Sequence, residues 1–129
     1  MLTIGYFTKW PAIYKEREKS VKDVVFTSIV PTINEDTILI TSSTNKYTQE
    51  MEIKGNNIHL NSPCKVFCSC ESFKYEFSNA IFRSGSLLRS IGFIRSIISR
   101  PKRKNEFNIA SGCKHIVALA RAVLKIKLK

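Results

Sequence analysis

Two short pairs of residues carry the donor atoms of a metal site. Cys68 and Cys70 are separated by one serine in the middle of the chain, and Cys113 and His115 are separated by one lysine near its end. Three thiolates and one imidazole are a donor set of closed, tetrahedral zinc sites. The types and spacing of these four residues therefore predict one structural zinc ion bound by all of them.

The spacing within each pair also predicts which elements hold the ligands. In an extended segment, side chains two residues apart point to the same side, so Cys68 and Cys70 can face one ion from a strand end or a tight turn. On a helix, residues two apart do not share a face. We therefore expect Cys113 in the turn after Gly112 and His115 in the first turn of a helix. A strand-borne pair and a helix-borne pair would then close on one ion.

The sequence around both pairs resembles the SWIM-type zinc finger, whose pattern is CxC, a variable gap and then CxH. Residues 68–73, CSCESF, are similar to its first half, in which an aromatic residue often follows the CxC. Residues 112–119, GCKHIVAL, are similar to its second half, which runs into an apolar helix. The resemblance implies a strand-hairpin-plus-helix unit around one zinc, in proteins that act on DNA or contact other proteins. It covers the C-terminal half only, and the gap is longer than the family usually has, so an insertion must loop out at about residues 80–108.

The remaining cysteine and histidine are not expected to bind the ion. We expect Cys64 to be a half-buried strand thiol rather than a substitute ligand, and His59 to lie on a strand surface. The main alternative to zinc is that the cysteines of the two pairs are buried thiols and that His115 only caps or packs, because free cysteine is among the most buried residue types. The two tight pairs favour zinc. Disulfides are disfavoured because residues 1–6, MLTIGY, lack the pattern of a secretory signal.

The positive charge of the chain lies mainly in its C-terminal half. Lysine and arginine number 21 against 10 acidic residues, which gives a net charge of +11. Beyond residue 82 the only acid is Glu106. Such an excess favours polyanions through electrostatic steering and counterion release, so we predict contact with nucleic acid or an acidic protein surface. The predicted contact residues are Arg89, Arg95, Arg100, Lys102, Arg103 and Lys104.

Length and composition limit the class of protein. A chain of 129 residues with 43% hydrophobic residues has room for one domain, or a little more, around a modest core. A structural zinc would add folding free energy on the order of 10 kcal/mol. No apolar run approaches the roughly 18 residues that a membrane span needs. We therefore expect a soluble protein in the cytoplasm, or a component of a virion assembled there, with no membrane contact and no small-molecule substrate.

The hydrophobic pattern predicts an α+β fold, with a small antiparallel sheet of hairpins and a C-terminal helix around one zinc, plus an inserted basic amphipathic segment. The predicted strands are residues 2–7, 21–30, 37–41, 47–53 and a returning strand from 58–60, with turns at 34–36 and 55–57. Pro31 is expected to end the second strand. The alternation of Tyr47, Gln49, Met51 and Ile53 with polar neighbours has the period of a half-buried strand. Residues 1–60 would form an N-terminal β-rich region, and residues 61–129 the SWIM-like region with its insertion.

Three later segments have patterns of their own. Phe73, Tyr75 and Phe77 alternate as on a strand, and we expect them to cover the zinc site rather than to stack on bases. Residues 87–98 fit either a pair of strands, because of their isoleucines, or an amphipathic helix that Ser86 would cap and Pro101 would end. The apolar stripe of that helix comprises Leu87, Leu88, Ile91, Ile94, Ile97 and Ile98. The last helix is expected to begin near Cys113, with an apolar stripe of Ile116, Leu119, Ala120, Val123 and Leu124.

These features favour a binding protein over an enzyme. The sequence has no paired carboxylates, no glycine-rich phosphate loop and no Ser/His/Asp order, and four protein ligands would leave the zinc no open position for water. The first hypothesis is a non-catalytic, zinc-stabilised module that contacts nucleic acid or an acidic partner through its basic C-terminal half. The alternative is a structural assembly protein, because the chain also resembles small stand-alone proteins with a CSC…CKH arrangement that tailed phages encode, some of them in the virion.

Overall fold

Four antiparallel strands form one sheet in the order β1-β2-β3-β4, and short helices pack around it. The structure is a computed structural model that describes residues 1–73, 77–88 and 111–126. Its strands are β1 (Ser28–Ile33), β2 (Thr37–Ser43), β3 (Thr48–Lys54) and β4 (Cys64–Cys68). Its helices are α1 (Ile4–Phe7), a 3₁₀ helix (Ala12–Arg17), α2 (Glu18–Lys22), α3 (Ser78–Arg83) and α4 (Lys114–Val123). The predicted α+β class with a small antiparallel sheet is therefore confirmed.

Strand β3 follows the predicted alternation, and β2 shows the same pattern of burial. Every second residue of β2 and of β3 is buried, and the inward positions face each other across the ladder. Ile38 pairs with Ile53, and Ile40 pairs with Met51. Cross-strand apolar pairs of this kind stabilise a sheet and fix its register, because a slip of one residue would turn every side chain to the other face. The predicted turns at 34–36 and 55–57 join β1 to β2 and lead out of β3, and Gly55 supplies a φ of +98° in the second turn.

The predicted strand over 21–30 is wrong in its bounds. Val21 is buried in α2, and the strand begins only at Ser28. It also runs through Pro31, which pairs with Ile40, instead of ending there. Proline is tolerated because β1 is the edge strand, where alternate N–H groups have no ladder partner to lose.

The predicted N-terminal strand at 2–7 is a short helix instead. Thr3 caps α1 by accepting a hydrogen bond from the Tyr6 N–H at 3.2 Å, and Ile4 and Phe7 are buried one helical turn apart. A six-residue, mostly apolar segment does not distinguish a buried strand from a buried helix, and here the Thr3 cap favours the helix. Leu2, before α1, still makes a backbone hydrogen bond to the segment that becomes β4: its carbonyl accepts from the Cys64 N–H at 2.9 Å.

The returning strand lies after Pro63, not at 58–60. Residues 58–60 belong to a loop in which His59 is exposed, and β4 occupies Cys64–Cys68 beside β3. The prediction that His59 lies on a strand surface is therefore half right, since it is exposed but not in a strand. The boundary predicted near residue 60 falls between β3 and β4, which are neighbours in one sheet.

Ser86 is not the cap of a helix. Residues 86–88 are extended along β4, where the Val66 N–H donates to the Ser86 carbonyl at 2.7 Å and the Leu88 N–H donates to the Val66 carbonyl at 3.1 Å. The Ser86 hydroxyl accepts from the Leu2 N–H at 2.6 Å. The rest of the predicted amphipathic helix, Pro101 and most of the predicted insertion lie outside the described residues.

The C-terminal helix completes the core. The predicted start near Cys113 is confirmed, and α4 buries Ile116, Leu119, Ala120 and Val123 against α1, α2 and the sheet. Leu124, at the end of the predicted stripe, is only partly buried. No helix among the described residues has the length and apolar character that a bilayer crossing requires.

Candidate metal centre

The first ligand pair lies where β4 ends. Cys68 is the last residue of β4, and Cys70 follows in the turn. Ser69 ties this turn to β3 through two bonds, since its N–H donates to the Thr48 carbonyl and its hydroxyl accepts from the Thr48 N–H, both at 3.0 Å. The turn therefore extends the ladder by one residue and fixes where both thiols point.

The second pair lies at the start of α4, as the sequence predicted. Cys113 is the N-cap with an extended backbone, and its carbonyl accepts from the Val117 N–H at 2.9 Å. His115 is in the first helical turn. Gly112 allows the backbone before α4 to pass close to the side chain of Ile116, because a β-carbon at residue 112 would lie only 2.7 Å from Ile116 Cγ2.

All four donor atoms converge in one buried place. They lie within 4.8 Å of one another, and none of the four residues is more than 6% exposed. His115 Nδ1 is 3.7 Å from Cys68 Sγ and 3.9 Å from Cys113 Sγ. Tetrahedral coordination at about 2.3 Å for sulfur and about 2.0 Å for nitrogen separates donors by about 3.6–3.8 Å. The cluster therefore has the size and donor set that fit a metal ion, with Nδ1 as the imidazole donor.

The acid–base state of the thiols also fits a cation. Burial raises the pKa of Cys113 well above its ordinary value. Hydrogen bonds from Cys113 and Cys68 lower the pKa of Cys70. Burial and the mutual repulsion of three buried negative charges therefore oppose the ionisation of all three thiols at once in the metal-free protein. A bound divalent cation would reverse this balance and release the remaining thiol protons.

Two N–H groups outside the ligand set donate to the sulfurs. Gln49 Nε2 lies 3.8 Å from Cys68 Sγ, and the Phe73 N–H donates to Cys70 Sγ at 3.4 Å. The side-chain oxygen Oε1 of Gln49 in turn accepts from the Ser42 hydroxyl at 2.8 Å. Gln49 is fully buried and Ser42 nearly so, and the two are cross-strand partners on β2 and β3. Sequence reasoning placed Gln49 on the inward face of its strand but missed its contact with the site.

The other sequence candidates lie elsewhere. Cys64 is fully buried in β4 and is not in the cluster, and burial raises the pKa of its thiol to about 12. It is thus a strand thiol, more deeply buried than expected.

Phe73 and Phe77 are buried and belong to helical rather than strand backbone, so they offer no platform to bases, whereas Tyr75 lies outside the described residues. Also outside them are the six predicted contact residues Arg89, Arg95, Arg100, Lys102, Arg103 and Lys104.

Residues from the N-terminal part surround the site, which sequence reasoning did not foresee. The ring of Tyr47 lies 5.3 Å from that of His115. A cavity of about 360 Å³ beside the ligands is lined by Trp10, Tyr47 and Lys114, among others, and a second of about 290 Å³ shares Tyr47, Lys114 and His115 with it. Long-range packing of this kind leaves no signal in local sequence patterns.

Comparison of the chain with models of known protein families, with curated proteins and with solved structures gives no match. The resemblance to SWIM-type zinc fingers is therefore carried by residues 68–73 and 112–119 alone. The geometry itself defines a buried cluster of three cysteines and one histidine that could bind a metal ion.

Proposed function

We propose that this chain is a non-catalytic binding module of the SWIM type, stabilised by one zinc ion and specific for nucleic acid. The observation that carries the proposal is the closed cluster of Cys68, Cys70, Cys113 and His115, in which all four donors converge and are buried. The cluster joins the end of β4 to the start of α4, so an ion held there would fix the sheet and the helix to each other.

The chemistry of the donors favours zinc over other common ions. Calcium and magnesium prefer oxygen ligands, of which this cluster has none. Thiolate and imidazole together suit zinc in a tetrahedral site. Four protein donors fill that shell, so no position is left for the activated water that a catalytic zinc requires. A structural role follows from this coordination.

Nucleic acid is the proposed partner because of the charge. The chain carries +11, and the exposed cations of the described C-terminal part include Arg83, Lys114 and Lys125. The six basic residues from Arg89 to Lys104 remain the proposed main contact. Binding of such a surface to a phosphate backbone is favourable because it releases the counterions of the phosphates, and this makes the affinity depend steeply on salt.

Binding of a labelled oligonucleotide at several salt concentrations tests this function. The logarithm of the binding constant of the zinc-loaded chain should fall linearly with the logarithm of the salt concentration, with a slope of about 0.7 per phosphate contacted on a single strand. A variant with Arg100, Lys102, Arg103 and Lys104 changed to glutamine should show a smaller slope. Affinity that does not change with salt, or no binding at all, would refute the nucleic-acid role.

A further inference from the structure

The only tryptophan of the chain has a buried donor that finds no acceptor in the part of the chain that the structure describes. Trp10 is 7% exposed and packs against Phe77 at a ring separation of 6.4 Å. Its Nε1 has no hydrogen-bond partner among the described residues. A buried N–H that gives up water without gaining an acceptor costs stability, and such a group in a native fold needs an explanation. A ligand atom that accepts from Nε1 would supply it.

One cavity beside Trp10 is positively charged. It measures about 270 Å³, and the described residues that line it are Lys9, Trp10, Lys15, Glu18 and Arg121. Glu18 is the only acid among them, and both its oxygens accept from Arg121, at 2.6 and 2.7 Å. The carboxylate is thus neutralised within the cavity wall. Lys9 and Lys15, both exposed, leave the cavity with an excess of positive charge.

Trp10 also lines the cavity beside the metal centre. That space, of about 360 Å³, is also lined by Lys114 at the start of α4 and by the half-buried ring of Tyr47. Two of its lining residues are cations, Lys114 and Arg17, and one is an acid, Glu71. Each cavity is near the lower limit of about 300 Å³ for small-molecule pockets, so each suits one group of a larger ligand better than a whole molecule. Both cavities border Trp10, so a chain-like ligand can place successive groups in the two cavities.

We propose that these two cavities, which we call the Trp10 cleft, hold the backbone of single-stranded nucleic acid, an inference that rests on the proposed function and locates a contact surface for it. One phosphate accepts the Trp10 N–H and lies between Lys9 and Lys15. The strand continues past the indole toward Lys114 and Tyr47. A positively charged groove with aromatic side chains is the usual construction of single-strand sites.

The cleft favours a single strand over other polyanions. A duplex is a wide rod that cannot enter a space of about 270 Å³, whereas one flexible strand can. A free phosphate would fill only the part near Lys9 and Lys15 and would gain nothing from Lys114. An acidic peptide offers carboxylates but no bases to lie against the Tyr47 ring.

The test uses the full zinc-loaded chain, a labelled oligothymidine and the fluorescence of Trp10, which reports on the cleft alone because no other tryptophan is present. Binding should change this fluorescence in proportion to the anisotropy of the label.

Lys9→Gln/Lys15→Gln should reduce the salt slope by about 1.4, at about 0.7 per phosphate contact. Trp10→Phe keeps a ring but loses the donor, and should weaken binding about tenfold. Lys114→Gln should weaken binding of the oligonucleotide but not of inorganic phosphate.

The matched control is Lys22→Gln/Lys54→Gln, which removes the same charge from two exposed residues that line neither cavity. Equal loss of affinity in this control and in Lys9→Gln/Lys15→Gln would overturn the cleft while leaving nucleic-acid binding intact. Unchanged Trp10 fluorescence at saturation would do the same. Binding of polyglutamate as tight as that of the oligonucleotide would overturn the choice of partner. Failure of the wild-type chain to bind any oligonucleotide would instead refute the proposed function from which the cleft follows.

Discussion

At the scale of single residues, the four donors of the candidate site could be predicted from the sequence, but the contact of Gln49 with Cys68 could not. Cys68, Cys70, Cys113 and His115 could be chosen from their types and spacing, and the structure brings them together. Gln49 could not be chosen, because its contact with Cys68 depends on strand register. The two residues are direct partners in the β3–β4 ladder. The register between two strands cannot be predicted from the sequence of either strand alone.

The first prediction concerns Gln49. Gln49→Leu should weaken zinc affinity by about 10- to 100-fold, because hydrogen bonds to ligands orient them and offset the charge on the thiolate. Titration against a chelator of known zinc affinity measures the change. Met51→Leu, two residues along the same buried face, is the control and should leave affinity unchanged. Equal affinity in Gln49→Leu and wild type would show that the amide only fills space.

At the scale of elements, β3 and α4 could be predicted because each has a regular period. Periods of two and 3.6 residues are strong signals only over segments as long as these two. Strand β2 was predicted instead from its short apolar run of Ile38, Leu39 and Ile40. The misassigned elements are short or interrupted. Helix α1 has four residues and depends on its Thr3 cap. Strand β1 continues through Pro31 because, among the described residues, it has only one neighbouring strand.

The second prediction concerns the docking of α2 on α4. Arg121 of α4 binds both oxygens of Glu18 and also donates through Nε to the Thr8 carbonyl at 2.8 Å. The hydrogen bond from Arg121 lowers the pKa of Glu18 below its ordinary value of 4.5. The pair therefore contributes stability above that ordinary value and loses it as pH falls through the lower, folded pKa.

Both side chains are more than a third exposed, so solvent screens the pair and its contribution is small. Glu18→Gln should lower the free energy of unfolding by less than about 1 kcal/mol at pH 7. The difference from wild type should shrink as the pH falls below 4.5, as measured by urea unfolding. Glu16→Gln removes the same charge from the exposed neighbouring turn and should have no comparable effect. A difference that is constant with pH would contradict the assignment.

At the scale of the whole molecule, a short chain joins a four-stranded sheet and a helix through one buried cluster. The ligands come from two elements that are distant in sequence, and residues of the N-terminal part cover them. An ion at this point would act as a cross-link between β4 and α4. Zinc is therefore expected to stabilise the entire fold rather than one loop.

Metal content is the measurement that tests this account most directly. Native mass spectrometry of the chain, purified without added zinc, should show one zinc per molecule, and Cys70→Ser/Cys113→Ser should show none and should lose the helical circular dichroism of α4. Cys64→Ala, a change at a buried cysteine outside the cluster, should keep the ion. A folded wild-type protein with no bound metal, or a double variant that retains both its zinc and its helix, would contradict the structural zinc site.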